Sequence, residues 1–151
     1  FLAADIRLAA PSASFTISGL TTGVLPGWGL VHALPRLIGP GRALDFLWTG
    51  RTLAADEAYR LGLVDRLLGD ATFEEDVDAY LEKLRRLPQP AVRLMKLGVQ
   101  QSATMDLTSM LDFEWESQQQ CWASRETAEG LRAWQEGREP QLDLPTAVED
   151  D

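Results

Sequence analysis

Few side chains in this sequence are of the types that do acid–base or nucleophilic chemistry near neutral pH. His32, in GLVHALPR, is the sole histidine, and an imidazole of ordinary pKa is a candidate general base. Cys121, the sole cysteine, lies between Gln120 and Trp122 with no base beside it in sequence. It reads as a small buried hydrophobe rather than a nucleophile. Arg36, Arg42 and Arg51 cluster around a Gly-rich turn. Arg36 and Arg42 suit a phosphate, or Arg36 pairs with a neighbouring acid. No Cys/His cluster has metal-ligand spacing, and neither G-x-G-x-x-G nor a P-loop occurs, so no motif points to a metal or a nucleotide phosphate. The acid pairs Glu74/Asp78 and Glu114/Glu116 fit solvated helix faces. Glu126 and Glu129 fall in the first turns of the last helix, at the positive end of its dipole.

One stretch has the composition of a ligand loop. SFTISGLTTGVLPGWG, Ser14 to Gly29, is rich in glycine and hydroxyls and holds no carboxylate. Trp28, fixed between glycines, suits either a flat wall for a ligand or a plug in the core.

Short elements must position these residues. Phe1 to about Thr16 reads as a buried, β-compatible segment with PSAS (Pro11–Ser14) as a turn. GRALDFLWTG places Ala43, Leu44, Leu47 and Trp48 on one helix face, with Gly50 as the stop. AADEAYRLG is a short helix ended by Gly62, and Leu63–Leu68 reads as a strand. Thr72 and Glu75 fit a capping box for a helix whose stripe is Phe73, Val77, Tyr80, Leu81 and Leu84. Pro90 opens a helix to about Ser102. A longer helix is predicted over Leu107–Trp122, and Ser124 caps a last one through Trp134.

At 151 residues and 45% apolar content the chain suits one ordinary core. A net charge of −9 argues against a nucleic-acid binder, which needs a basic face. It is compatible with an anionic small ligand at a local basic patch. The apolar runs fall far short of the ~18 residues that span a bilayer, and no signal peptide is visible. A single cysteine favours a reducing compartment, here the cytoplasm. The first residue is Phe, not Met, so a fragment is expected.

ADIRLAAPSASF, G(V)LPG(W)G, LPRLIGPGRALDFLWTGRTLAADEAYRLGLVDRLL, PQPAVRLMK and SRETAEGLRAWQEGREPQ together resemble the crotonase superfamily, the enoyl-CoA hydratase/isomerase family, over nearly all of residues 1–140. The resemblance implies an α/β fold of the (ββα)n spiral type. It further implies that the chain is the C-terminal half, in a PGWG subgroup. Residues 1–70 would end the spiral core and carry the second active-site loop. Residues 71–140 would form helices for trimerisation, and 141–151 a disordered acidic tail. The implied partners are an acyl-CoA thioester, as substrate and with no other cofactor, and a homotrimer or dimer of trimers. No membrane is implied.

Hydratases of the family typically carry a Glu four residues after the Phe of this strand, as in F-G-Q-P-E. Counting from Phe15, that position is Gly19, which cannot transfer a proton. The resemblance places Gly19, Ser18, Gly23 and Trp28 nearest the acyl group, with His32 the next catalytic candidate after them. Ser18, Thr21 and Thr22 would orient a water or an acyl oxygen, though unactivated hydroxyls are poor bases. Trp134 and Arg138 take the end-helix positions that approach the CoA of a neighbouring subunit. Two functions follow: transformation of acyl-CoA through an enolate in an oxyanion hole, or acyl-CoA binding without turnover. A blander third is a helical oligomerisation module without a ligand.

Overall fold

The computed structural model describes residues 1–18, 20 and 23–142. The chain divides into two compact units, Phe1–Ala79 and Tyr80–Asp151. The division falls inside a helix, α4 (Phe73–Arg85).

The first unit is built on two short β pairs. β1 (Leu8–Ala9) runs parallel to β4 (Arg66–Leu67), and β2 (Ser14–Phe15) runs antiparallel to β3 (Leu53–Ala54). The PSAS turn between β1 and β2 closes through the Ala13 N–H on the Ala10 carbonyl at 3.0 Å. Most of FLAADIRLAA is not strand: residues ahead of β1 form turns, and Phe1 and Ile6 are exposed. The expected strand over Leu63–Leu68 likewise shrinks to two residues. Leu63 and Val64 are buried instead at the end of α3 (Ala55–Leu61), both N–H groups donating to the Ala58 carbonyl.

Arg7 clamps the β1–β4 pair and is the one buried charged residue described. Its Nε donates to the Leu63 carbonyl at 2.8 Å, one terminal nitrogen to Asp65 at 3.0 Å and the other to the Ala4 carbonyl at 3.1 Å. Its backbone N–H adds a 2.7 Å bond to Asp65. A buried guanidinium needs this degree of satisfaction.

The core of this unit centres on Leu34, Phe46, Leu47, Leu53 and Val64. Leu34 comes from α1 (Leu30–Ile38), and Phe46 and Leu47 from α2 (Pro40–Thr49). The buried face of α2 is Ala43, Phe46 and Leu47, not the expected Ala43, Leu44, Leu47 and Trp48; Leu44 and Trp48 are exposed. The i, i+3, i+4 spacing of the observed set follows one helix stripe, whereas i+1 and i+5 drift off it. Gly62 ends α3 at φ 84°, a backbone that favours glycine. A Cβ there would also press to 3.3 Å from the Leu37 carbonyl oxygen.

The second unit is helical: the rest of α4, α5 (Gln89–Gln101), α6 (Leu107–Trp122) and α7 (Arg125–Glu136). Pro90 sits in the first turn of α5 as expected. Asp106 caps α6, accepting from the Ser109 backbone and hydroxyl, which holds its carboxyl below the usual range. Ser124 caps α7 by accepting from the Thr127 N–H at 3.1 Å, and the helix runs to Glu136, past the expected Trp134. At the start of α4 the expected Thr72/Glu75 box is replaced. The Thr72 hydroxyl donates to Asp76 at 2.7 Å, and Asp76 also accepts from the Gly69 N–H.

Only Gly98 and Ala133 are buried among the described residues of this unit. Gly98 lets α5 and α6 touch: a Cβ there would fall 2.7 Å from the Phe113 ring. No described helix is long and apolar enough to cross a membrane. The expected tail, 141–151, lies outside the described residues beyond Leu142.

Candidate functional site

The carboxylate-free loop is anchored at both ends. On entry, β2 is fixed to β3, the Thr16 and Thr52 hydroxyls lie 2.8 Å apart, and the Ala55 N–H donates to the Ala13 carbonyl. On exit, Gly29 at φ 76° starts α1, its carbonyl accepting from the His32 and Ala33 N–H groups at 3.0 and 2.9 Å. Between them, Gly23 turns the chain at φ 73°, donating to the Leu20 carbonyl at 3.0 Å. Ser18 and Gly23 are exposed. Gly19, Thr21 and Thr22 lie outside the described residues.

Trp28 stands in this loop at φ 58°, the only described non-glycine residue with a left-handed backbone. That conformation costs an L-residue roughly 1–2 kcal/mol. No packing offsets it, because the indole is fully exposed at 107%. Trp28 is therefore no core plug. A Cβ built at Gly27 or Gly29 would meet nothing within 4 Å, so the space beside the indole is open on both sides in sequence.

Trp28 lines a groove of about 490 Å³ with Leu25, Pro26, Val31, His32 and Arg36. His32 and Arg36 share one face of α1 at i, i+4 spacing, and both are exposed. One guanidinium nitrogen of Arg36 donates to the His32 carbonyl at 2.7 Å. Among the described residues Arg36 pairs with no acid, contrary to one of its two expected roles. The groove brings Trp28 and His32 together but includes neither Ser18 nor Gly23.

The remaining arginines divide. Arg42 is exposed. Arg51 is structural: it forms a two-nitrogen pair with Glu57 at 3.0 and 2.8 Å and donates to Asp45 at 3.1 Å, tying α2 to α3. The Glu57 bonds, then Asp45, raise the Arg51 pKa, and Arg51 lowers that of Glu57.

In the second unit Trp134 is exposed on α7. Arg138 is held by the Glu129 carboxylate at 2.6 and 3.3 Å, and by Glu136 through its Nε. Glu129 also accepts from the Gln141 N–H at 2.9 Å. Arg138 first, and Gln141 second, hold the Glu129 pKa down at about 2. Glu129 is thus a tether for the segment after α7 rather than a dipole-compensating surface charge. No sequence pattern separates the two, because the pairing spans nine residues across the Gly137 turn.

Cys121 is half-buried and lines an apolar groove of about 400 Å³ between α5 and α6 with Met95, Val99 and Phe113. Among the described residues no group of three or more His, Cys, Asp or Glu is placed to hold a metal ion.

Short β pairs carrying a glycine-rich loop, followed by a helical region with exposed apolar side chains, define an α/β protein. Its relatives are specific. A profile of the family described as Enoyl-CoA hydratase/isomerase matches residues 1–144, and the chain belongs to that family. It is 32% identical over 130 residues to the short-chain-enoyl-CoA hydratase of Clostridioides difficile, covering 86% of this chain and 84% of that one. It is 33% identical over 134 residues to the crotonyl-CoA hydratase of Syntrophomonas wolfei, covering 89% of this chain and 52% of that protein. Among solved structures, the enoyl-CoA hydratase of Bacillus anthracis superposes with a TM-score of 0.88 at 36% identity, over 93% of this chain and 55% of the other. The fold is α/β of the crotonase type, and the chain spans about half the length of the Syntrophomonas and Bacillus proteins.

Proposed function

We propose that the protein acts on acyl-CoA thioesters as an enzyme of the enoyl-CoA hydratase/isomerase type, through an enolate stabilised in an oxyanion hole. The observation that carries this reading is the family match along residues 1–144 together with the anchored Ser14–Gly29 loop. On this reading the chain corresponds to the C-terminal half of its longer relatives, in a PGWG subgroup. Gly19, Ser18, Gly23 and Trp28 then face the acyl group, and His32 is the next candidate. The thioester is the substrate, and no further cofactor is called for. Because no carboxylate occurs between Phe15 and Gly29, the acid and base of the reaction come from outside this loop.

The same carboxylate-free loop favours a second reading, an acyl-CoA binding protein without turnover. The assay that separates the two is loss of enoyl absorbance when the native protein meets crotonyl-CoA. Turnover supports the enzyme; saturable binding without turnover supports the carrier.

The helices support assembly as a homotrimer or dimer of trimers. Met95, Val99, Leu107, Trp115, Trp122 and Trp134 are all exposed on a unit that buries almost nothing itself, and such apolar surface marks an interface. Trp134, and Arg138 held ready by Glu129, then approach the CoA of a neighbouring subunit. A lone cysteine suits a reducing compartment, the cytoplasm.

A further inference from the structure

The geometry points to a selectivity site in the groove of Trp28, His32 and Arg36: it recognises a carboxylate at the far end of the acyl group. This rests on the acyl-CoA reading above and names the class of acyl chain. Three observations carry it. First, the groove of about 490 Å³ is of ligand size and has a built polarity. Leu25, Pro26, Val31 and the Trp28 ring supply apolar walls, and His32 and Arg36 supply donors.

Second, among the described residues no acidic side chain lines this groove, although the chain carries a net charge of −9. The Arg36 guanidinium spends one bond on the His32 carbonyl. That bond lays it along the α1 face and leaves its other N–H groups for an anion. A planar guanidinium matches a carboxylate with two parallel bonds, and the His32 imidazole adds a further donor. Third, the sequence places its bulkiest side chain at a backbone conformation that glycine adopts without strain, and the indole touches no core. Strain maintained at an exposed position indicates function. Here the ring supplies the wall along which the methylenes of the acyl chain lie.

The test compares two thioesters that differ only in the terminal carboxylate and cannot be hydrated, butyryl-CoA and glutaryl-CoA. Calorimetric titration of the native protein is expected to show glutaryl-CoA binding about tenfold tighter, the advantage falling as salt rises. Arg36→Ala is expected to abolish the advantage, and Arg36→Lys to restore part of it. Arg60→Ala, which removes an exposed charge that does not line the groove, preserves it and so excludes a general charge effect. Trp28→Ala is expected to weaken both ligands. Equal affinities in the native protein, or an advantage that survives Arg36→Ala, overturn the inference while leaving the acyl-CoA reading standing. If neither thioester binds, that reading fails and this inference fails with it.

Discussion

Replacing Asp65 by alanine is expected to destabilise the fold by about 2–3 kcal/mol. The Asp65 carboxylate accepts from the Arg7 backbone N–H at 2.7 Å and from its guanidinium at 3.0 Å, with an ion-pair contact of 2.9 Å. Breaking a buried pair by removing one partner costs about 3–5 kcal/mol, because the other charge stays buried. The Arg7 side chain is only 8% accessible, but that of Asp65 is 36%. Water can therefore enter where the carboxylate was, and the cost falls below that range. Arg7 also keeps its bonds to Leu63 and Ala4. Urea denaturation followed by far-UV circular dichroism measures the loss. Asp65→Asn, which keeps an acceptor, is expected to cost about half as much, since hydrogen bonds to charged groups exceed neutral ones by about that factor. A double-mutant cycle with Arg7→Met is expected to show a coupling of about 1–2 kcal/mol. A loss below about 0.5 kcal/mol for Asp65→Ala, within the range of ordinary surface changes, would refute the claim that this pair locks β1 to β4.

Five further substitutions test the architecture. Leu34→Ala, at a fully buried position, is expected to cost about 2–5 kcal/mol, whereas Leu44→Ala, at an exposed one, costs within about 0.5 kcal/mol in the same denaturation assay. Gly62→Ala combines a left-handed backbone with a 3.3 Å approach to Leu37 and is expected to cost about 1–2 kcal/mol. Gly41→Ala has open space inside α2 and is expected to stabilise by about 0.5–1 kcal/mol. Glu129 has a folded pKa of about 2 against an ordinary 4.5, so its contribution is present above about pH 4.5 and is lost as the pH falls from there toward 2. Glu129→Gln is expected to flatten that acid limb of the stability profile; an unchanged limb refutes the tether.

Local signals made the helices legible. Pro90 and Ser124 mark the starts of α5 and α7, because caps and proline act on the chain within one turn. The strands were less legible. β1 and β4 are two residues each, and their extent depends on a partner nearly sixty positions away rather than on local propensity. The α2 face is not set by apolar content alone: Phe46 fills the core, while the equally apolar Leu44 and Trp48 are exposed. At the site, composition singled out the loop and Trp28, but the exposure and strain of Trp28 are backbone facts with no sequence signature. Arg36 turns back along α1 to the His32 carbonyl, a contact that neither of its two expected roles includes.

The central claim is that this protein recognises the acyl part of an acyl-CoA. Calorimetric titration of the native protein with butyryl-CoA, beside free coenzyme A, tests it most directly. The account predicts saturable binding in which the thioester is held at least tenfold more tightly than free coenzyme A. Equal affinities, or no binding of either at millimolar concentration, would contradict it.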